Sequence, residues 1–286
     1  MSVVRIDTGR VPFEVGPAIA LLAAGGVPGG EVTDLGNARH TRLIPAGSVG
    51  PVAVTVTLHA DHVDLAHQQL GAAAAAEILG KVRRWLDLEI DHSVVLGALG
   101  DDPAIGRLVT ARPGLRVIGY PDGFEAAVLV VLGQHVSVRA ARTFSGRLLD
   151  AFGEPGPAGL LAFPTPQLLA EAPPTDLQTA IGITHSRART VQFLAASCAQ
   201  GLSIDPLGDH AAIRRELLAL PGIGPWTVET LAVRALGDRN AYPAGDLVLQ
   251  RTLGVSTPTA AIRAAERWVP YRAYGLFHLW SAALGI

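Results

Sequence analysis

Apolar and polar positions alternate along "PVAVTVTLHA", residues 51–60, which is the period of a strand with one face on a core. Upstream, "ARHTRLIPAG" reads as a second strand ending in a turn, and the helical stretches "GPAIALLAAG" and "HQQLGAAAAAEILGKVRRWLDL" flank the pair. After the Pro/Gly-rich connection "ARPGLRVIGYPDG" the period becomes helical. Phe124, Val128, Val131 and Leu132 fall on one helical face, and Val136 to Phe152 forms a second segment. "GEPGPAGLLAFPTPQ" and "APPTD" read as loops. Further helices are expected in "HSRARTVQFLAASCAQG", "DHAAIRRELLAL", "PWTVETLAVRALG", "DLVLQRTLG", "TAAIRAAERWVP" and "YRAYGLFHLWSAALG". The predicted fold is α+β: residues 1–90 form a small domain with an antiparallel sheet, and residues 91–286 form an all-α region.

Composition narrows the function classes. The 286 residues are 49% apolar and 17% charged, enough for one large core or two modest ones. The alanine run at 72–76 is short and soon meets Glu77, Lys81 and Arg83, so neither secretion nor membrane spanning is expected. Cys198 is the single cysteine, which excludes an intramolecular disulfide or a thiolate cluster and fits a reducing cytoplasm. With 23 basic and 25 acidic residues the net charge is −2, so no basic domain announces nucleic acid.

Chemistry first surfaces in "LPGIGPWTVE", a corner between two predicted helices. Gly222 and Gly224 permit positive φ and place no Cβ in the way, so backbone N–H groups can face an anion. Pro225 suits a first helical turn, and Thr227 adds a hydroxyl near that helix's positive end. A corner of this kind holds a phosphate without a basic side chain. A glycine-capped turn that binds nothing is the competing reading. Downstream, "YPAGDLVLQR" puts Asp246 directly before an apolar-periodic helix, where it is an N-cap at the least.

Together these two stretches resemble the helix-hairpin-helix Gly/Pro-Asp superfamily of DNA glycosylases. Further blocks, "ARPGLRV", "GFEAAVLVVLGQHVSVRAA", "FPTPQLLA" and "ERWVPYRAYGLFHLW", make nearly the whole chain similar to bacterial 3-methyladenine DNA glycosylases II of the AlkA type. The first 90 residues carry the likeness more thinly, through "PFE" and "LLAA". The resemblance implies a monomeric base-excision enzyme of the bacterial cytoplasm that acts on double-stranded DNA with alkylated bases. Such an enzyme flips the damaged nucleotide out of the stack before cutting its bond to the sugar. By resemblance, Asp246 is the catalytic carboxylate opposite the developing oxocarbenium ion. Trp226 and Trp280 are pocket positions whose indole faces suit a cationic base. Trp268, Tyr271 and Tyr274 are read as packing.

Several positions depart from the family's best-known pattern. Thr230 and Ser281 stand where tyrosines are expected, which implies a less aromatic pocket and leaves the substrate range open. In "GQHVS", Gln134 precedes His135, which takes the place of the side chain that fills the gap left by the flipped nucleotide. Trp226 occupies the position of the Schiff-base lysine of strand-nicking relatives, and the chain's one lysine is Lys81, so a monofunctional enzyme leaving an abasic site is expected. No cofactor is implied beyond a structural Na+ or K+ on hairpin backbone carbonyls. A non-catalytic damage binder of the same fold, and a helical scaffold with no DNA role, are the alternatives.

Overall fold

In this computed structural model, which describes residues 2–285, the alternating stretch is the middle of an antiparallel sheet. Its strands are β1 (Ser2–Asp7), β2 (Glu31–Asp34), β3 (Arg39–Ala46), β4 (Gly50–Leu58) and β5 (His62–His67), in the order β1-β5-β4-β3-β2. Val52, Val54, Val56 and Leu58 of β4 all point inward, as the period of two requires. Val56 faces both His40 and Leu65, so β4 sets the register of its two neighbours. Helices α1 (Val15–Gly25) and α2 (Ala72–Trp85) flank the sheet, and Ile19, Ile78, Val82 and Trp85 close its core.

The remaining helices are α3 (His92–Leu99), α4 (Gly106–Ala111), α5 (Gly123–Gly133), α6 (Val138–Phe152), α7 (Pro166–Glu171), α8 (Pro174–Ile181) and α9 (His185–Ala199), followed by α10 (His210–Leu218), α11 (Pro225–Arg234), α12 (Leu247–Leu253), α13 (Pro258–Ala264) and α14 (Arg272–Leu284). They enclose a second core running from Val95 to Leu279, with Trp268 and Tyr274 among its largest buried side chains. The fold is α+β, as the periodicity predicts. No helix among the described residues is long and apolar enough to cross a membrane.

Four local expectations are corrected. The 153–167 stretch, expected as loop, holds a two-stranded ribbon, β6 (Glu154–Pro155) with β7 (Leu161–Ala162), and the start of α7, which Thr165 caps. Within "APPTD", residues 172–176, α8 already begins at Pro174. In both helices proline stands at the opening position, where its fixed φ suits a helix and its missing N–H costs nothing. α5 is buried almost all round rather than on one face, with Phe124 and Leu129 its part-buried apolar side chains, because the helix is packed by α6, α9 and α11. α3 and α4 were not foreseen, although Asp91 caps α3 by accepting from the Ser93 N–H.

One break in the sheet's pattern has a structural cause. Inward positions of β3 carry His40 and Arg42, both buried. Arg42 bonds Glu125 of α5 at 2.5 Å and Glu31 of β2 at 3.0 Å, so an ion triad joins the sheet to the helical core. Its guanidinium also lies 5.5 Å from the centre of the Trp85 ring.

Candidate active site

Asp246 begins α12, and its Oδ1 accepts the Leu249 N–H at 2.9 Å. That is the N-cap expected of any Asp in this place, but the carboxylate does more. Trp226 of α11 donates its indole Nε1–H to Oδ2 at 3.1 Å, and Trp280 of α14 donates its own to Oδ1 at 3.2 Å. Three helices therefore fix one carboxylate. All three side chains remain partly exposed, so a solute can approach them. The loop before Asp246 is itself anchored: Glu229 accepts the Tyr242 N–H at 2.9 Å, and Gln250 donates to the Ala244 carbonyl at 2.8 Å. A negative charge held this firmly suits stabilisation of a positive charge that develops nearby.

The hairpin glycines are not equivalent. Gly222 has φ +85°, and a Cβ there would lie 2.0 Å from Thr190 Oγ1, so both backbone conformation and close packing demand glycine. Gly224, expected to share positive φ, has φ −106° and open space around a Cβ, and it stands just before α11. Alanine at 222 is expected to cost about 2–4 kcal/mol, combining the left-handed penalty with overpacking against Thr190. Urea unfolding of Gly222→Ala beside Gly224→Ala tests this; equal losses would contradict it.

Thr227 is also corrected. It is buried, and its hydroxyl accepts the Gln134 amide at 2.9 Å instead of turning outward. The same amide donates to the Gly222 carbonyl at 3.1 Å. Gln134 therefore ties the 134–137 loop to the hairpin, and Arg187 holds the Gln134 carbonyl from α9. Between these anchors His135 is exposed, with φ +55°, an uncommon conformation for a non-glycine residue. Thr230, one turn after Trp226, is buried and donates its hydroxyl to the Trp226 carbonyl at 2.7 Å, which keeps that hydroxyl on its own helix.

Ser281 accepts a hydrogen bond from Arg112, a residue not singled out by sequence reasoning. Arg112 also donates from Nε to Glu14 at 3.0 Å, so the segment leading into α1 reaches α14 through one guanidinium. Its signal lies inside "ARPGLRV", a stretch that reads as a Pro/Gly-rich connection and as a block matching the family. Beside it, His278 is buried, and desolvation with help from Arg112 pushes its imidazole down to about 4, so it stays neutral near pH 7. Trp268 and Tyr274 are buried packing residues, and Tyr274 additionally donates its hydroxyl to Asp87 at 3.0 Å. A separate cavity of about 270 Å³, lined by Asp87, Tyr120, Arg234 and Arg239 among others, shares no residue with the Asp246 cluster.

Comparison with known proteins shows the family. Residues 8–122 match the AlkA N-terminal domain family, and residues 128–266 match the HhH-GPD superfamily of base excision DNA repair proteins. The chain is 34% identical to DNA-3-methyladenine glycosylase 2 of Escherichia coli, covering 94% of each sequence. It is 38% identical to a probable bifunctional transcriptional activator/DNA repair enzyme AlkA of Mycobacterium tuberculosis, where 95% of the chain covers 55% of the relative, about half its length. The fold is also that of a 3-methyladenine DNA glycosylase from Archaeoglobus fulgidus, with a TM-score of 0.85 at 19% identity over 98% of both chains. The chain belongs to the DNA-3-methyladenine glycosylase 2 family, AlkA type, within the HhH-GPD superfamily of base-excision repair proteins.

Proposed function

We propose that the protein is a monofunctional DNA glycosylase that releases alkylated purines, 3-methyladenine and 7-methylguanine among them, from double-stranded DNA and leaves an abasic site. The observation that carries this reading is the Asp246 carboxylate held between the indole N–H groups of Trp226 and Trp280. Alkylation at N3 or N7 makes the purine a cation and a ready leaving group. An indole face attracts such a base by about 0.5–2 kcal/mol. As the bond to the sugar stretches, Asp246 stabilises the oxocarbenium-like carbon and orients the attacking water. The hairpin N–H groups beside Gly222 and Gly224 take a backbone phosphate, and exposed His135 fills the space of the flipped nucleotide.

The hairpin residues 220–225 contain no carboxylate, and their carbonyls suit a weakly held Na+ or K+ better than a divalent ion. Held there, the ion would add positive charge beside the phosphate.

The test is single-turnover release of 3-methyladenine and 7-methylguanine from methylated duplex DNA, with binding to an abasic analogue as control. Tight binding without release of either base would overturn the enzymatic reading in favour of a damage binder. A second measurement isolates the mechanism: borohydride added during turnover is expected to trap no covalent protein–DNA adduct, because Trp226 stands in the lysine position. A trapped adduct would refute the monofunctional assignment.

A further inference from the structure

The β4–β5 hairpin carries the sequence "HADHVD", residues 59–64, and its geometry gives that spacing a meaning. Leu58 pairs with Val63, and the His59 N–H donates to the His62 carbonyl at 2.9 Å, so the two histidines face each other across a two-residue turn. Asp64 lies two positions beyond His62 and therefore shares its face of the strand. The imidazoles stack with centres 4.2 Å apart and planes 14° from parallel. Asp64 Oδ2 lies 3.5 Å from His59 Nε2 and 3.6 Å from His62 Nε2.

Those separations are too long for good hydrogen bonds, but they are close to the edge of a tetrahedron drawn around a zinc ion. With metal–ligand bonds of about 2.0–2.1 Å that edge is about 3.3 Å. The surroundings favour ligation as well. His62 Nδ1 lies 2.7 Å from Asp61 Oδ1, which keeps the proton on Nδ1 and leaves the Nε2 lone pair turned to Asp64. Arg5 donates to the other oxygen of Asp64 at 3.3 Å and leaves Oδ2 facing the imidazoles. The turn is pinned from outside: Ala60 O accepts the Phe13 N–H at 2.7 Å, and Asp61 O accepts the Thr8 N–H at 3.1 Å. The backbone of the turn is thus already fixed, and a tilt of the two stacked rings toward Asp64 would converge three protein donors on one metal with a fourth position left to water.

We propose that His59 Nε2, His62 Nε2 and Asp64 Oδ2 form a site for a divalent first-row transition metal of the zinc type, oriented by Asp61. β4 and β5 supply no residue to the Asp246 cluster, so the site is independent of base excision.

Untagged, chelator-treated protein should bind one Zn2+ per chain by calorimetry, melt at higher temperature with Zn2+, and develop visible absorption with Co2+. His59→Ala, His62→Ala and Asp64→Asn should each abolish these signals without changing the melting temperature measured in chelator. Asp61→Asn should weaken binding about 10–100-fold while keeping the stoichiometry, the mark of an orienting partner. Absence of a saturable signal in the wild type would overturn the proposal, and so would binding that the triple variant His59→Ala, His62→Ala, Asp64→Asn retains in full.

Discussion

Asp246→Asn is expected to lower single-turnover release of methylated purines by at least about 10²-fold while affinity for abasic-analogue DNA persists, the range seen when an electrostatic stabiliser is removed from an active site. The substitution keeps the shape of the side chain, and its amide oxygen can still accept the Leu249 N–H, since Asn caps helices as well as Asp. What disappears is the charge. With the amide oxygen kept in that place, the new NH2 group faces the indole N–H of Trp226, setting a donor against a donor where an acceptor stood. Release lost with binding kept would assign the carboxylate to chemistry. Release and binding lost together would mean that Asp246 matters mainly as the cap that shapes the loop. Release unchanged would move the catalytic role to another residue.

Arg42→Met is expected to destabilise the fold by about 3–5 kcal/mol, because it strips the shared counter-charge from two buried carboxylates. The pH dependence has a definite sign. Burial pushes Glu125 up to about 7 against the pull of Arg42, and it raises Glu31 for the same reason. A carboxyl raised in the folded state holds its proton more tightly there than in the unfolded chain. Its contribution to stability is therefore present below the unfolded value of about 4.5 and is lost as pH rises through the folded value. Removing Arg42 removes the attraction that opposes this rise. The deficit of the variant relative to wild type should then be larger near pH 8 than near pH 5 in urea titrations. Equal deficits at the two pH values would attribute the loss to packing alone, including the Arg42 contact with Trp85.

The triad also explains why β3 was harder to read than β4. In β4 each inward position is Val or Leu, so alternation alone names the strand and its buried face. In β3 the inward positions include His40 and Arg42, whose burial is offset by partners from other elements: Thr33 for His40, and Glu31 and Glu125 for Arg42. Proline misled in the opposite direction. Read as a breaker it marked loops, whereas Pro166 and Pro174 open helices α7 and α8 because a first-turn N–H needs no partner.

Local physics therefore determined much about this protein from the sequence alone: the inward face of β4, the helical period after residue 122, the glycine corner ahead of α11 and an Asp at the head of α12. Each depends on residues within a turn or two of one another. Asp246 joins Trp226 and Trp280 across separations of 20 and 34 positions, Arg112 reaches Ser281 across 169, and Gly222 is required by Thr190 of another helix. The Thr227 hydroxyl, near the positive end of α11, accepts from Gln134, 93 positions away. Tertiary structure alone decided these contacts, because they depend on how helices pack, and no periodicity along the chain encodes which side chains meet across it.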